Sequence, residues 1–177
     1  MHGKRPIFQF VGLFVLFMGI YWGLTMLGAV EKTIIPSYMR FYAQASARVI
    51  DIFGEGASAT GTEVMSSRYS VNIKHGCDAL APSALFIAAV LAFPASIRSK
   101  IPGLIAGTLV LAVINLVRII SLFYTGIYFP KWFETMHVDV WQPAFILISL
   151  TLWVMWALRA TRAAVSTPAG TDAKQAS

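Results

Sequence analysis

Charge is scarce in this chain: Lys, Arg, Asp and Glu make up 12% of its 177 residues, against 57% hydrophobic ones, well below the charged share of an average soluble domain. A soluble core of this size could not hide so much Leu, Ile, Val, Phe and Trp from water, so lipid is their natural solvent. Acids are scarcer than bases, 8 against 14 Lys and Arg, giving a net charge of +6. That excess does not indicate nucleic acid, because the basic residues stand singly between apolar spans, with no basic run and no nucleic-acid motif. Cysteine occurs once, as Cys77, which excludes an intramolecular disulfide framework and any multi-cysteine metal site. No transition metal or organic cofactor is expected.

Four stretches are long and apolar enough to cross a bilayer, which takes roughly 20 residues per helix. They run from about Ile7 to Val30, Ala79 to Ser96, Ile101 to Phe123 and Val140 to Leu158. The second is the shortest and carries Pro82 and Pro94, yet it holds no charge from Ser83 to Phe93. The first follows His2, Lys4 and Arg5 as a signal peptide would, but it exceeds a normal secretory h-region and no clear small-residue cleavage site follows, so a retained anchor is expected. Lys4 and Arg5, then Arg98 and Lys100, then Arg159 and Arg162 occupy three segments on one side of such a bundle, the cytoplasmic side by the positive-inside rule. Glu31, Asp51, Glu55, Glu63, Asp78, Glu134 and Asp139 then fall outside. The expected architecture is an all-α membrane protein in the plasma membrane, with four transmembrane helices and both termini cytoplasmic. Residues 1–162 form a single transmembrane domain, and 163–177, rich in Thr, Ala, Gly, Lys and Gln, form a disordered cytoplasmic tail.

The outer segment 31–78 is the only large non-spanning region. Arg40, Gln44, Arg48, Asp51 and Glu55 recur every three or four residues, with Met39, Tyr42, Val49, Ile52 and Phe53 on another face. This spacing predicts an amphipathic helix on the membrane surface or across the bundle. After a Gly/Ser/Ala/Thr stretch at 54–62, Tyr69, Val71 and Ile73 alternate with Ser70, Asn72 and Lys74. The alternation predicts a short strand or hairpin leading to Cys77 before the second span.

This topology gathers Cys77, Arg118 and His137 at the outer leaflet. An arginine inside a span costs about 2.5 kcal/mol or more at the helix centre. Asn115 precedes Arg118 by three residues, and Gly103, Gly107 and Leu111 continue the same stripe, so the polar pair is expected to face the bundle along a glycine-lined surface. The bland alternative is an arginine snorkelling to headgroups. A lone membrane cysteine is usually a small apolar filler, but a helix start and a nearby guanidinium both favour its thiolate, and Gly76 permits close backbone approach. His137 is either a solvated loop residue or a general base and acid for the thiol. His75, two residues from Cys77, is poorly placed for that role and reads as a loop or substrate-contacting residue.

Gly76-Cys77 at the start of one span, Asn115-Leu-Val-Arg118-Ile-Ile late in the next and His137 before the last resemble the exosortase and archaeosortase family, most closely the compact exosortase H type. The likeness covers roughly Ile73 to Trp156, and Asn115-x-x-Arg118 is its most specific element. The resemblance implies a membrane-embedded cysteine transpeptidase that cuts a C-terminal sorting signal (motif, apolar helix, basic tail) from secreted proteins and passes them to an acceptor. By it, Cys77 is the nucleophile, Arg118 the oxyanion or carbonyl stabiliser and His137 the acid and base. Asn115, Asp78 and Gly76 support them, and Tyr69, Val71, Ile73 and His75 touch the extended motif. Where the family often has Gly two residues after the cysteine, this chain reads Cys77-Asp78-Ala79, and a carboxylate beside the thiol opposes its ionisation unless it turns toward water or Arg118. The competing reading is a non-enzymatic four-helix membrane protein, an assembly factor or small transporter. The paired broken helices or internal repeat that mark many transporters are absent from the sequence.

Overall fold

The computed structural model describes residues 5–73 and 79–165. In chain order these are α1 (Arg5–Thr25), a π-helical turn (Val30–Ile34) running into α2 (Ile35–Ile52), strands β1 (Ser58–Thr60), β2 (Glu63–Met65) and β3 (Ser70–Asn72), then α3 (Leu80–Ala92) and α4 (Ile97–Tyr128). A 3₁₀ turn (Pro130–Trp132), a π-helical segment (Thr135–Trp141) and α5 (Gln142–Val165) complete the chain.

Among the described residues, three helical runs are long and apolar enough to cross a membrane: Arg5–Thr25, Ile97–Tyr128 and Thr135–Arg162. α1 has no buried residue. Val15 and Trp22 on α1, Leu109 and Val113 on α4 and Leu147 on α5 all project outward, a surface that hydrocarbon tolerates and water does not. α1 is shorter than its apolar run, since the helix stops at Thr25 and restarts at Gly28 after a break at Met26 and Leu27.

The second expected span appears as α3, a helix of 13 residues, about 20 Å long against roughly 30 Å of hydrocarbon. Pro94 accounts for its end. The residue before a proline is driven out of the α region, and Phe93 is extended at φ −66°, ψ 135°. Pro82 is harmless at the third helical position, where its missing N–H had no intrahelical acceptor. Lys100 donates from Nζ to the carbonyl of Leu91 at 2.7 Å, so the start of α4 caps the end of α3.

α4 outgrows its predicted 101–123 range. Its 32 residues extend about 48 Å, well beyond the hydrocarbon thickness, and its far end is held by protein. There α2 and the sheet pack on Ile119, Leu122 and Phe123 through Met39, Tyr42, Ile50, Val64, Val71 and Ile73. A second core of Ala79, Phe86, Val90, Leu111 and Phe145 joins α3, α4 and α5 inside the bundle.

α2 is the amphipathic helix the spacing predicted: Arg40, Gln44, Arg48 and Asp51 are exposed, while Met39 and Tyr42 are buried. Its apolar face is rotated from the expected one at the C-terminal end. Ile50 is fully buried, whereas Ile52 and Phe53 are exposed. The sheet is an antiparallel meander in the order β1-β2-β3, with Val64 opposite Val71. Val71 and Ile73 point into the core and Ser70 and Asn72 outward, as the alternation required. β1 and β2 occupy a stretch whose composition carried no such signal.

Contacts between rings fix the ends of the bundle. Phe10 of α1 lies 5.7 Å from Trp153 of α5 and 6.4 Å from Phe93 at the end of α3. Trp156 donates from Nε1 to the Ser99 carbonyl at 3.1 Å. Arg5, Arg98, Lys100, Arg159 and Arg162 therefore share one end. At the other, Tyr69 meets Phe123 and Phe133 at 6.0 and 6.2 Å. α5 continues to Val165, three residues into the expected tail; 166–177 lie outside the described residues.

Candidate functional site

Arg118 is only 1% exposed and Asn115, one turn earlier on α4, is fully buried. Both lie where the two cores meet, between Leu111 of the bundle core and Ile119 of the core built with α2 and the sheet. The glycine stripe explains how the neighbours come so close. A methyl group on Gly107 would collide with the ring of Phe86, and one on Gly103 with the indole of Trp156. Arg118 therefore faces protein on the side where α3 and α5 press against α4.

The guanidinium carbon of Arg118 stands 6.0 Å from the centre of the Phe145 ring, within range of a cation–π contact. Arg118 also lines a cavity of about 570 Å³, a size typical of pockets that take small molecules or short peptide segments. The start of α3 forms one wall through Ala79, Leu80 and Pro82, and α1 contributes Tyr21 and Trp22. Besides Arg118, the polar lining comes from Thr25, Glu31 and Gln142. A guanidinium in such apolar surroundings is suited to an anionic or carbonyl oxygen, since low polarity strengthens the interaction.

Ala79 itself is unusual. It is buried and takes a left-handed conformation at φ 53°, costly for a residue with a β-carbon. Its carbonyl accepts the first hydrogen bond of α3, from the Ser83 amide at 3.1 Å. The chain thus turns sharply into α3 at the cavity wall. Gly76, Cys77 and Asp78, together with His75, lie outside the described residues, as does Lys74 at the end of the predicted strand.

His137 differs from its expected setting. It belongs to the π-helical segment Thr135–Trp141, continuous with α5, not to a loop. The segment packs against α4. His137 is half-buried, and its ring lies 6.0 Å from that of Phe133.

Asn115 has no hydrogen-bond partner for either atom of its amide among the described residues. Leaving such a group buried costs about 1–3 kcal/mol. Tyr69 stacks over Gly126 of α4, where a β-carbon would strike its ring, and it is half-buried. Val71 and Ile73 are core residues, so β3 offers an outside molecule its backbone and not those side chains. β3 lies at an edge of the sheet. Its loop is tied down by Arg68, which donates to Glu55 at 3.2 Å and lies 5.0 Å from the centre of the Tyr128 ring.

Glu31 and Gln142 were not foreseen as site residues. The available signal was a polar side chain at the edge of each apolar span. No group of three or more metal-ligating side chains occurs among the described residues. Compared with protein-family models, curated proteins and solved structures, the chain matches none.

Proposed function

We propose that the chain is a membrane-embedded cysteine transpeptidase of the exosortase kind, with four spans, cytoplasmic termini and its reactive centre at the outer face of the plasma membrane. In this reading α3, with the residues up to Ser96, supplies the fourth crossing. The observation that carries the proposal is the buried Arg118 lining one cavity with Ala79. Cys77 precedes Ala79 by two residues in the chain, and the segment that carries His137 packs against α4, the helix of Arg118. A functional arginine of this kind repays its burial by meeting charge that develops on a substrate.

The substrate is a secreted protein ending in a motif, an apolar helix and a basic tail. Its helix lies against the bundle and its motif enters the cavity, with backbone pairing to the edge of β3. The Cys77 thiolate attacks the scissile carbonyl carbon and its π electrons move to oxygen, where Arg118 holds the negative charge. As the C–N bond breaks, His137 gives its proton to the departing amine, leaving a thioester on Cys77. An acceptor amine or water attacks the thioester, His137 takes a proton from it, and the thiolate leaves. A carboxylate at Asp78 opposes the thiolate unless it faces water or Arg118, and the mechanism requires that condition.

Co-expression with a candidate sorting-signal protein tests this. An acyl adduct on Cys77, identified by mass spectrometry and missing in Arg118→Met and His137→Gln variants, is expected. Continued cleavage by Cys77→Ala would eliminate the covalent route and return the chain to the non-enzymatic class.

A further inference from the structure

A second cavity, of about 490 Å³, lies at the basic end of the bundle between α4 and α5. Phe86, Gly103, Ala106, Val110 and Met155 give it an apolar body, and Arg159 is the one charged lining residue among those described. Ala106 and Val110 are exposed on the outer surface of α4, so the groove opens toward hydrocarbon. The Trp156 to Ser99 hydrogen bond of 3.1 Å ties α5 to the first turn of α4. Around that junction, residues 97–100 and 159–162 contribute Arg98, Lys100, Arg159 and Arg162 and no acid.

We propose that this groove is a binding site for an anionic phospholipid, with an acyl chain along Ala106 and Val110 and the phosphate on Arg159. Charge complementarity selects this occupant. Basic pockets between helices bind anionic headgroups, each Lys or Arg adding to the attraction. The positive dipole end of the 32-residue α4 points the same way. A helix with a basic tail would bring its own cations to four others, and a second copy would face Arg159 with like charge, a costly arrangement. The inference does not rest on the transpeptidase reading, since it concerns the opposite end of the bundle.

Native mass spectrometry of the purified full-length protein, with added phosphatidylglycerol or phosphatidylcholine of identical acyl chains, tests the site. Wild type should retain phosphatidylglycerol preferentially. Arg159→Gln should reduce that preference about five-fold, the contribution of one basic residue near a membrane surface, and Arg159→Lys should keep most of it. Ala106→Phe, which fills the groove from its exposed lip, should abolish retention without altering the melting temperature. Lys131→Gln at the opposite end should change nothing. Equal retention of both lipids by wild type, or an undiminished preference in Arg159→Gln, would overturn the proposal. So would a dimer or a co-purified transmembrane peptide that Ala106→Phe releases. Should Ala106→Phe fail to fold, the two Arg159 variants still decide.

Discussion

The guanidinium carbon of Arg118 and the ring of Phe145 are 6.0 Å apart, and both residues line the larger cavity. The cation thus stands over an aromatic wall. A lysine could supply the charge but neither the flat face nor the forked donors. Arg118→Lys should therefore lower processing of a sorting-signal substrate by about 10²–10³-fold, the usual loss for an oxyanion donor. Because burying a cation carries a desolvation cost that an apolar side chain of similar length lacks, Arg118→Met should fold at least as stably while processing nothing. Cleavage rates at matched protein level, with thermal melting of each variant in detergent, would check both halves.

Gly107 and Phe86 occupy each other's space, and this gives a test of packing that does not depend on function. Gly107→Ala pushes a methyl group against the Phe86 ring and should destabilise the protein by about 1–3 kcal/mol, the usual cost of overpacking. Phe86→Leu on its own should also destabilise, by opening a void. Combined, the two changes should cost less than their sum, because each relieves the other. Additive losses in thermal or denaturant unfolding would mean that α3 and α4 do not meet at this point.

The site was legible in the sequence where a physical penalty demanded a reason. An arginine late in an apolar span has to find protein, and the spacing from Gly103 through Asn115 said which face it would use. The polar face of α2 was equally readable, from charges every three or four residues. Other features left no local trace. β1 and β2 are three residues each, and Val64 is their only buried side chain, too little for an alternation to register. His137 sits among mixed polar and apolar residues with no helix cap, so a helical segment looked like a loop. Glu31 and Gln142 reach the cavity only because α1, α3, α4 and α5 converge, a relation between distant segments that no window along the chain contains.

Asn115 separates stability from function. Its amide is fully buried and makes no hydrogen bond among the described residues, so it is a cost that packing alone does not require. Replacing it with Leu, of similar volume, should raise stability by about 1–3 kcal/mol by removing that desolvation penalty. The same change should slow processing if the amide positions the reacting groups next to Arg118, the usual trade at a functional site. A positioning role predicts a fall in kcat with KM little changed. A variant that is more stable and equally active would show Asn115 to be dispensable to the proposed chemistry.

Orientation can be tested at two exposed basic residues at opposite ends of the bundle. Lys131 lies in the 3₁₀ turn after α4, and Arg98 in the first turn of that helix; both are exposed. With Cys77 replaced by Ser, a cysteine introduced at either position is the only thiol in the chain, since the sequence has no other. The positive-inside rule places Arg98 in the cytoplasm. A membrane-impermeant maleimide should then label Lys131→Cys in intact cells and Arg98→Cys only after permeabilisation. The reverse pattern would turn the Arg118 cavity toward the cytoplasm, where the sorting motif of a secreted protein would never reach it. The transpeptidase proposal would fail, while the packing between Gly107 and Phe86 would be untouched.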